Sequence, residues 1–118
     1  MITHPTAVEL VDVVARWIDG VRPSLTGRDA FMARVAVNAL GIVSRELTSG
    51  PGAEAAAVAR FSELLGREGG FAELNAELCR RLREGEMDRA TPGLLAALEA
   101  CALEQIAIDQ PNYQPDKT

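Results

Sequence analysis

The sequence predicts an all-α protein, a single-domain bundle of about five helices with a long, central second helix, and three observations lead there. Apolar residues recur at three- and four-residue spacing in successive segments. Those segments are bracketed by helix caps and stops. No alternating strand pattern of useful length and no internal repeat interrupts them. At 118 residues the chain suits one domain, and at that size folding buries roughly two thirds of the unfolded surface without metal or disulfide staples. A helical bundle over 1–110 followed by a polar tail over 111–118 is the expected organisation.

The first helix opens at "THPTAVE", where Thr6 caps and Glu9, three residues on, completes a capping box, and it runs to Gly20. Ala7, Leu10, Val11, Val13, Val14, Trp17 and Ile18 share one face of it, opposite Glu9, Asp12 and Arg16. Pro23 disfavours helix at Arg22, so "VRPSLTG" is a break. The second helix covers about Arg28 to Ser49 and is expected to stop at "SGPG", Ser49 to Gly52. A third runs from Ala53 to Leu65 and ends at Gly66; a fourth runs from Phe71 to Glu84, with Gly85 as its stop. The fifth takes Thr91 as cap and Pro92 as first-turn residue and continues until Pro111 forbids it.

Charge and composition exclude several function classes. The net charge is -5 and the pI near 4.8, which argues against nucleic acid, since a phosphate backbone selects basic surfaces. Eleven of the twelve basic residues are Arg, and the only lysine is Lys117, so there is no juxtamembrane Lys cluster. No apolar run approaches the ~20 residues of a spanning helix, and Glu9 and Asp12 fall where a signal peptide needs an apolar core. A soluble cytoplasmic protein is expected. The single histidine, His4, lies outside the first helix, which disfavours a Ser-His-Asp or Cys-His relay. Inward Glu-x-x-His pairs are missing, and Cys79 and Cys101 are too far apart for a zinc knuckle, so neither metal nor cofactor is expected. The glycines of "LGREGGF" follow a helix rather than a strand and lack the P-loop lysine; they read as a helix stop. Glu73 and Glu77 share a charged face with Arg80, Arg81 and Glu84, which reads as solvated surface rather than an acid–base pair. Both cysteines lie beside apolar stripes and are expected to react slowly as thiols.

One feature stands apart from the bland pattern. In "FMARVAVNALGIVSREL", Phe31 to Leu47, apolar residues nearly encircle the helix, while Arg34, Asn38, Gly41 and Arg45 form a narrow stripe at i, i+4, i+7 and i+11. Read structurally, the stripe is a slit to solvent or a network tying helices together, with Asn75 and Asp109 as candidate partners. Read functionally, two guanidinium forks and an amide cradle a carboxylate or phosphate. The structural reading expects Arg34 to be mostly buried and bonded to Asp109.

Three blocks, "FMARVAVNALGIVSREL", "LNAELCRRLREGEMD" and "IAIDQPNY", resemble an uncharacterised bacterial family, a domain of unknown function whose members are small helical proteins. The resemblance extends from "HPTAVELVDVVARWI" to Tyr113, and the residues matching the family's recurring polar positions are Arg34, Asn38, Arg45, Glu46, Asn75, Arg83, Asp109, Pro111 and Tyr113. Gln105 departs from it, standing where a basic residue is often found. The resemblance implies no activity, but it implies gene neighbours: an aminoglycoside-phosphotransferase-like kinase and an acyl-CoA dehydrogenase.

The leading expectation is a non-catalytic accessory or partner-binding helical protein, serving such a kinase or dehydrogenase. The last helix has more apolar surface than one contact face requires, so a homodimer with that helix at the interface is expected. The alternative from another class is a binder or enzyme for an anionic acyl or phosphorylated metabolite, held by Arg34, Asn38 and Arg45, with Asn75, Asp109 and Tyr113. A phosphotransferase is disfavoured: the Gly-rich loop, strand-borne lysine and catalytic Asp-Asn set are missing.

Overall fold

The computed structural model describes residues 3–113, and these are all-α. Four helices follow in order: α1, Ala7–Val21; α2, Gly27–Leu65; α3, Phe71–Arg83; and α4, Leu94–Asp109, with one 3-10 turn at Arg22–Ser24. They divide into two compact units, whose boundary lies between Gly50 and Pro51.

The helix count is one below the expected five because "SGPG" does not stop a helix. Helix α2 runs 39 residues with Pro51 inside it. Proline's fixed φ is itself helical, so the ladder loses the one bond that Pro51 cannot donate to Leu47, at a cost of ~3 kcal/mol or more; Gly50 and Gly52 beside it are weak helix formers, and the strong ones, Ala53 to Ala57, begin further along. The side chain of Glu46 lies over Gly50, where an added Cβ would come within 2.6 Å of its Oε1. Gly50 is buried, and only a residue without a side chain admits that approach.

In the first unit, Thr6 caps α1 as its sequence requires. Its Oγ1 accepts from the Glu9 backbone N–H at 3.1 Å and donates to Glu9 Oε1 at 3.2 Å. The short connection through Arg22–Ser24 returns the chain so that Ser44 of α2 donates its hydroxyl to Asp12 of α1 at 2.8 Å. Val8, Val11, Ala15, Ile18 and Val21 are the half-buried positions of α1, and Ala33, Val37, Leu40 and Ser44 are buried or half-buried on α2. This hairpin seats only part of its apolar surface. Leu10, Val13, Val14 and Trp17, the broader part of the apolar arc of α1, are exposed, Trp17 to 68%. The expectation that α2 is central also fails in its first half: Phe31, Met32, Val35, Ile42, Val43 and Leu47 are exposed. An apolar arc wider than one neighbour covers is what the sequence records; which neighbour covers it is a tertiary fact.

The second unit holds the core. Phe61, Leu65, Leu74, Leu78, Met87 and Leu94 form one buried cluster, with Val58, Leu64 and Cys101 packed against it. The rings of Phe61 and Phe71 stack with centroids 6.1 Å apart. Gly66 and Gly85, at φ 66° and 75°, end α2 and α3 in the left-handed conformation that glycine alone adopts without strain. Between α3 and α4, Asp88 Oδ1 accepts from Ala90 N at 2.8 Å and Thr91 Oγ1 accepts from Asp88 N at 3.0 Å. Thr91 is thereby used in a turn, and α4 starts later than expected, with Gly93 at φ 82° as its N-cap. Leu94, Ala97, Cys101, Glu104 and Ile108 are buried or half-buried on α4 at alternating three- and four-residue spacing, with Ala100 and Ile106 also half-buried, while Leu95, Leu98 and Leu103 are exposed. The expected polar tail falls mostly on residues 114–118, outside the described residues.

The thiols separate. Cys101 is half-buried, but Cys79 is exposed, contrary to the expectation for both. It follows Leu78 by one residue, which turns it about 100° away from the buried stripe.

Two outcomes test this core. Leu74→Ala, at a site with 0% exposure, should lower unfolding free energy by ~2–5 kcal/mol, whereas Ala76→Ser, at an exposed position of the same helix, should change it by less than about 0.5 kcal/mol; denaturant titration reads both. Under native conditions Cys79 should react with a thiol reagent much faster than Cys101, and mass spectrometry of tryptic peptides separates them.

Candidate functional site

The two units present different chemistry, and the sequence-predicted stripe belongs to the first. Arg34 and Asn38 are exposed on α2, so the expected burial of Arg34 does not occur. The reason lies in packing: the first half of α2 is seated along Ala33, Val37, Leu40 and Ser44, a face that leaves Arg34 in water. Arg45 is half-buried, and its Nη1 lies 3.1 Å from where a Cβ on Gly41 would be. Gly41 therefore accommodates the folded-back side chain of Arg45.

The remaining predicted residues lie in the second unit. Asn75 is exposed on α3. Asp109, at the end of α4, accepts from Gln105 Nε2 at 3.1 Å with both carboxylate oxygens. Gln105, one turn earlier, thus supplies a neutral donor for the carboxylate that the helix dipole disfavours. Tyr113 is 54% exposed. Among the described residues no hydrogen bond joins Asn75 to Asp109 or Tyr113.

A better-built polar site lies between α2 and α4. Arg60, on α2, grips Glu104, on α4, with both arms of its guanidinium: Nη2 to Oε1 at 2.6 Å and Nη1 to Oε2 at 3.1 Å. Nη1 also lies 3.6 Å from Cys101 Sγ. The hydrogen bonds from Arg60 hold the Glu104 carboxyl below its ordinary pKa, and those of Glu104 raise that of Arg60. A sequence signal was present, for Glu104 falls in the same register as Leu94, Ala97, Cys101 and Ile108 and so needs a cation from a neighbouring helix. Arg60 also lines an open cleft of about 480 Å³ with Glu63, Leu64, Pro92, Gly93 and Ala97. Its charge is already matched by Glu104, so the cleft carries no free cation for an anionic ligand.

On α3, Glu77 receives Arg80 Nη2 at 2.7 Å and Arg81 Nε at 3.0 Å. Arg80 extends to Glu84 and to Glu86, the latter at 2.9 Å. The face, expected to be solvated, is charged and paired, but Glu77 and Arg81 are half-buried within it. Hydrogen bonds from Arg80 and Arg81 bring Glu77 from 4.5 down to about 2. Among the described residues no group of His, Cys, Asp and Glu is placed to hold a metal ion.

The sign of the acid dependence follows. Glu77 and Glu104 bind protons more weakly folded than unfolded, so stability is full above the ordinary carboxylate range and is lost as pH falls from about 4.5 to about 2 for Glu77. Melting temperature should decline across that window, and Glu77→Gln should flatten the decline. In thermal melts at neutral pH, Arg60→Ala and Glu104→Ala should each destabilise, and the pair together by less than their sum.

No helix among the described residues is long and apolar enough to cross a membrane. No curated protein and no solved structure matches the chain. A family model does: it spans residues 23–113, from the turn after α1 to Tyr113, and by that match the chain belongs to the domain of unknown function DUF6285.

Proposed function

We propose that the protein is a non-catalytic helical accessory that acts by binding other protein chains. One observation carries this reading. Sixteen large hydrophobic side chains are exposed among the described residues, more than the ten hydrophobic residues that are buried. Isolated exposed leucines are ordinary, but contiguous apolar stripes of this extent mark contact surfaces. There are two. The hairpin of α1 and the first half of α2 carries the larger; in the second unit α4 carries the smaller, with Leu95, Leu98 and Leu103.

The polar chemistry supports the same reading. Arg60 and Glu104 satisfy each other between α2 and α4, and Glu77, Arg80 and Arg81 satisfy one another within α3, so these charged groups already have protein partners. A kinase of the aminoglycoside-phosphotransferase type and an acyl-CoA dehydrogenase, the neighbours implied by the sequence resemblance, are the first partners to test. An acidic chain suits a protein partner better than a nucleic acid.

The test is copurification at native expression level, with mass-spectrometric identification of proteins and small molecules. A stoichiometric protein partner is expected, with recovery reduced in Leu95→Glu/Leu98→Glu. Retention of an anionic metabolite with no protein, lost in Arg34→Ala, contradicts the proposal.

A further inference from the structure

We infer that the apolar face of the first unit is covered by a second copy of this chain, two hairpins closing into an intermolecular four-helix bundle. The inference rests on the protein-binding reading and names the partner for one of its two surfaces. On α1, Leu10, Val14 and Trp17 follow four- and three-residue spacing, with Val13 beside them. On α2, Met32, Val35, Ala39 and Ile42 repeat the three-four-three spacing, flanked by Phe31 and Val43. These are seams of the kind that pack knobs into holes against another helix, and every one of these residues is exposed.

The two seams share one side of the hairpin. On helical wheels, the exposed arc of α1 lies about 130° from its seated face, and that of α2 about 150° from its own, both in the same rotational sense. In an antiparallel pair, equal sense places both arcs on the same side. The area suffices: at their fractional exposures, 38–68%, the ten large apolar side chains of this unit leave on the order of 900 Å² uncovered, against ~800 Å² contributed by each partner of a standard interface. Charge favours a two-fold arrangement as well. Helix α1 carries Glu9, Asp12 and Asp19 against Arg16, a surplus of two negative charges. The first half of α2 carries Arg28, Arg34 and Arg45 against Asp29 and Glu46, a surplus of one positive charge. A two-fold axis that sets α1 of one copy over α2 of the other pairs opposite surpluses twice, as a self-complementary interface requires. This assigns the interface to the hairpin rather than to the last helix.

Sedimentation velocity of the full chain at about 1 to 100 µM, with far-ultraviolet circular dichroism to confirm folding, decides it. Wild type should be a dimer that dissociates on dilution, and the emission of Trp17, the one tryptophan, should shift to longer wavelength as it does. Trp17→Glu on α1 and Ile42→Glu on α2 should each raise the dissociation constant at least about thirtyfold. Leu95→Glu on α4 should leave it unchanged. A wild-type monomer throughout the range overturns the inference, as does a dimer that survives both hairpin variants or is lost in Leu95→Glu. If the wild type is monomeric while a different protein copurifies with it, the self-association fails and the protein-binding reading stands.

Discussion

Leu74, Leu78 and Leu94 are, with Ile108, the best-buried side chains among the described residues, and with Phe61, Leu65 and Met87 they build nearly all of the core in the second unit. The first unit has no equivalent: Ala33, 8% exposed, is its one buried hydrophobic side chain among the described residues. Folding stability comes chiefly from apolar area removed from water. A two-helix hairpin whose bulkiest residues, Trp17 and Phe31, stand 68% and 63% exposed obtains little of it alone. That imbalance organises the rest. The second unit has a buried cluster of its own, whereas the first leaves most of its bulky apolar side chains in water.

The Arg60–Glu104 pair shows how the second unit handles its polar exceptions. A carboxylate in the seated register of α4 meets a bidentate guanidinium from α2, which fixes the two helices in one relative register. Both side chains keep about a third of their surface in water, so the pair orients more than it stabilises. The α3 network of Glu77, Arg80, Arg81 and Glu86 works in the same way, joining the helix to the turn that follows it. These pairs account for charged residues that a ligand site would otherwise be needed to explain.

Local features were legible in the sequence wherever one residue decides the backbone. The Thr6 cap and the Gly66 and Gly85 stops follow from side-chain chemistry at single positions. Legibility ended where tertiary contacts choose between alternatives. Pro51 reads as a break, yet the helix continues through it, because proline's φ is itself helical and only one ladder bond is lost. Thr91 reads as a cap, yet its hydroxyl serves the Asp88 turn. The wheel of α2 reads as central because periodicity records that a face is apolar without recording what covers it, and so Arg34 was expected in an interior that the hairpin does not provide. Glu104 was readable in principle, since a carboxylate in a buried register announces a cationic partner, although nothing in the sequence says that Arg60 is the one.

Hydrogen–deuterium exchange of α1 at low and high protein concentration addresses most directly the dependence of the first unit on another chain. Local opening of a helix with few buried contacts is cheap, and covering its apolar face makes it costly. Amides of Ala7–Val21 should exchange several-fold more slowly at the higher concentration, while those of Phe71–Arg83, held by the core of their own unit, should not change. Exchange in α1 that is slow and independent of concentration, in a chain that sediments as a monomer with no partner bound, would contradict it.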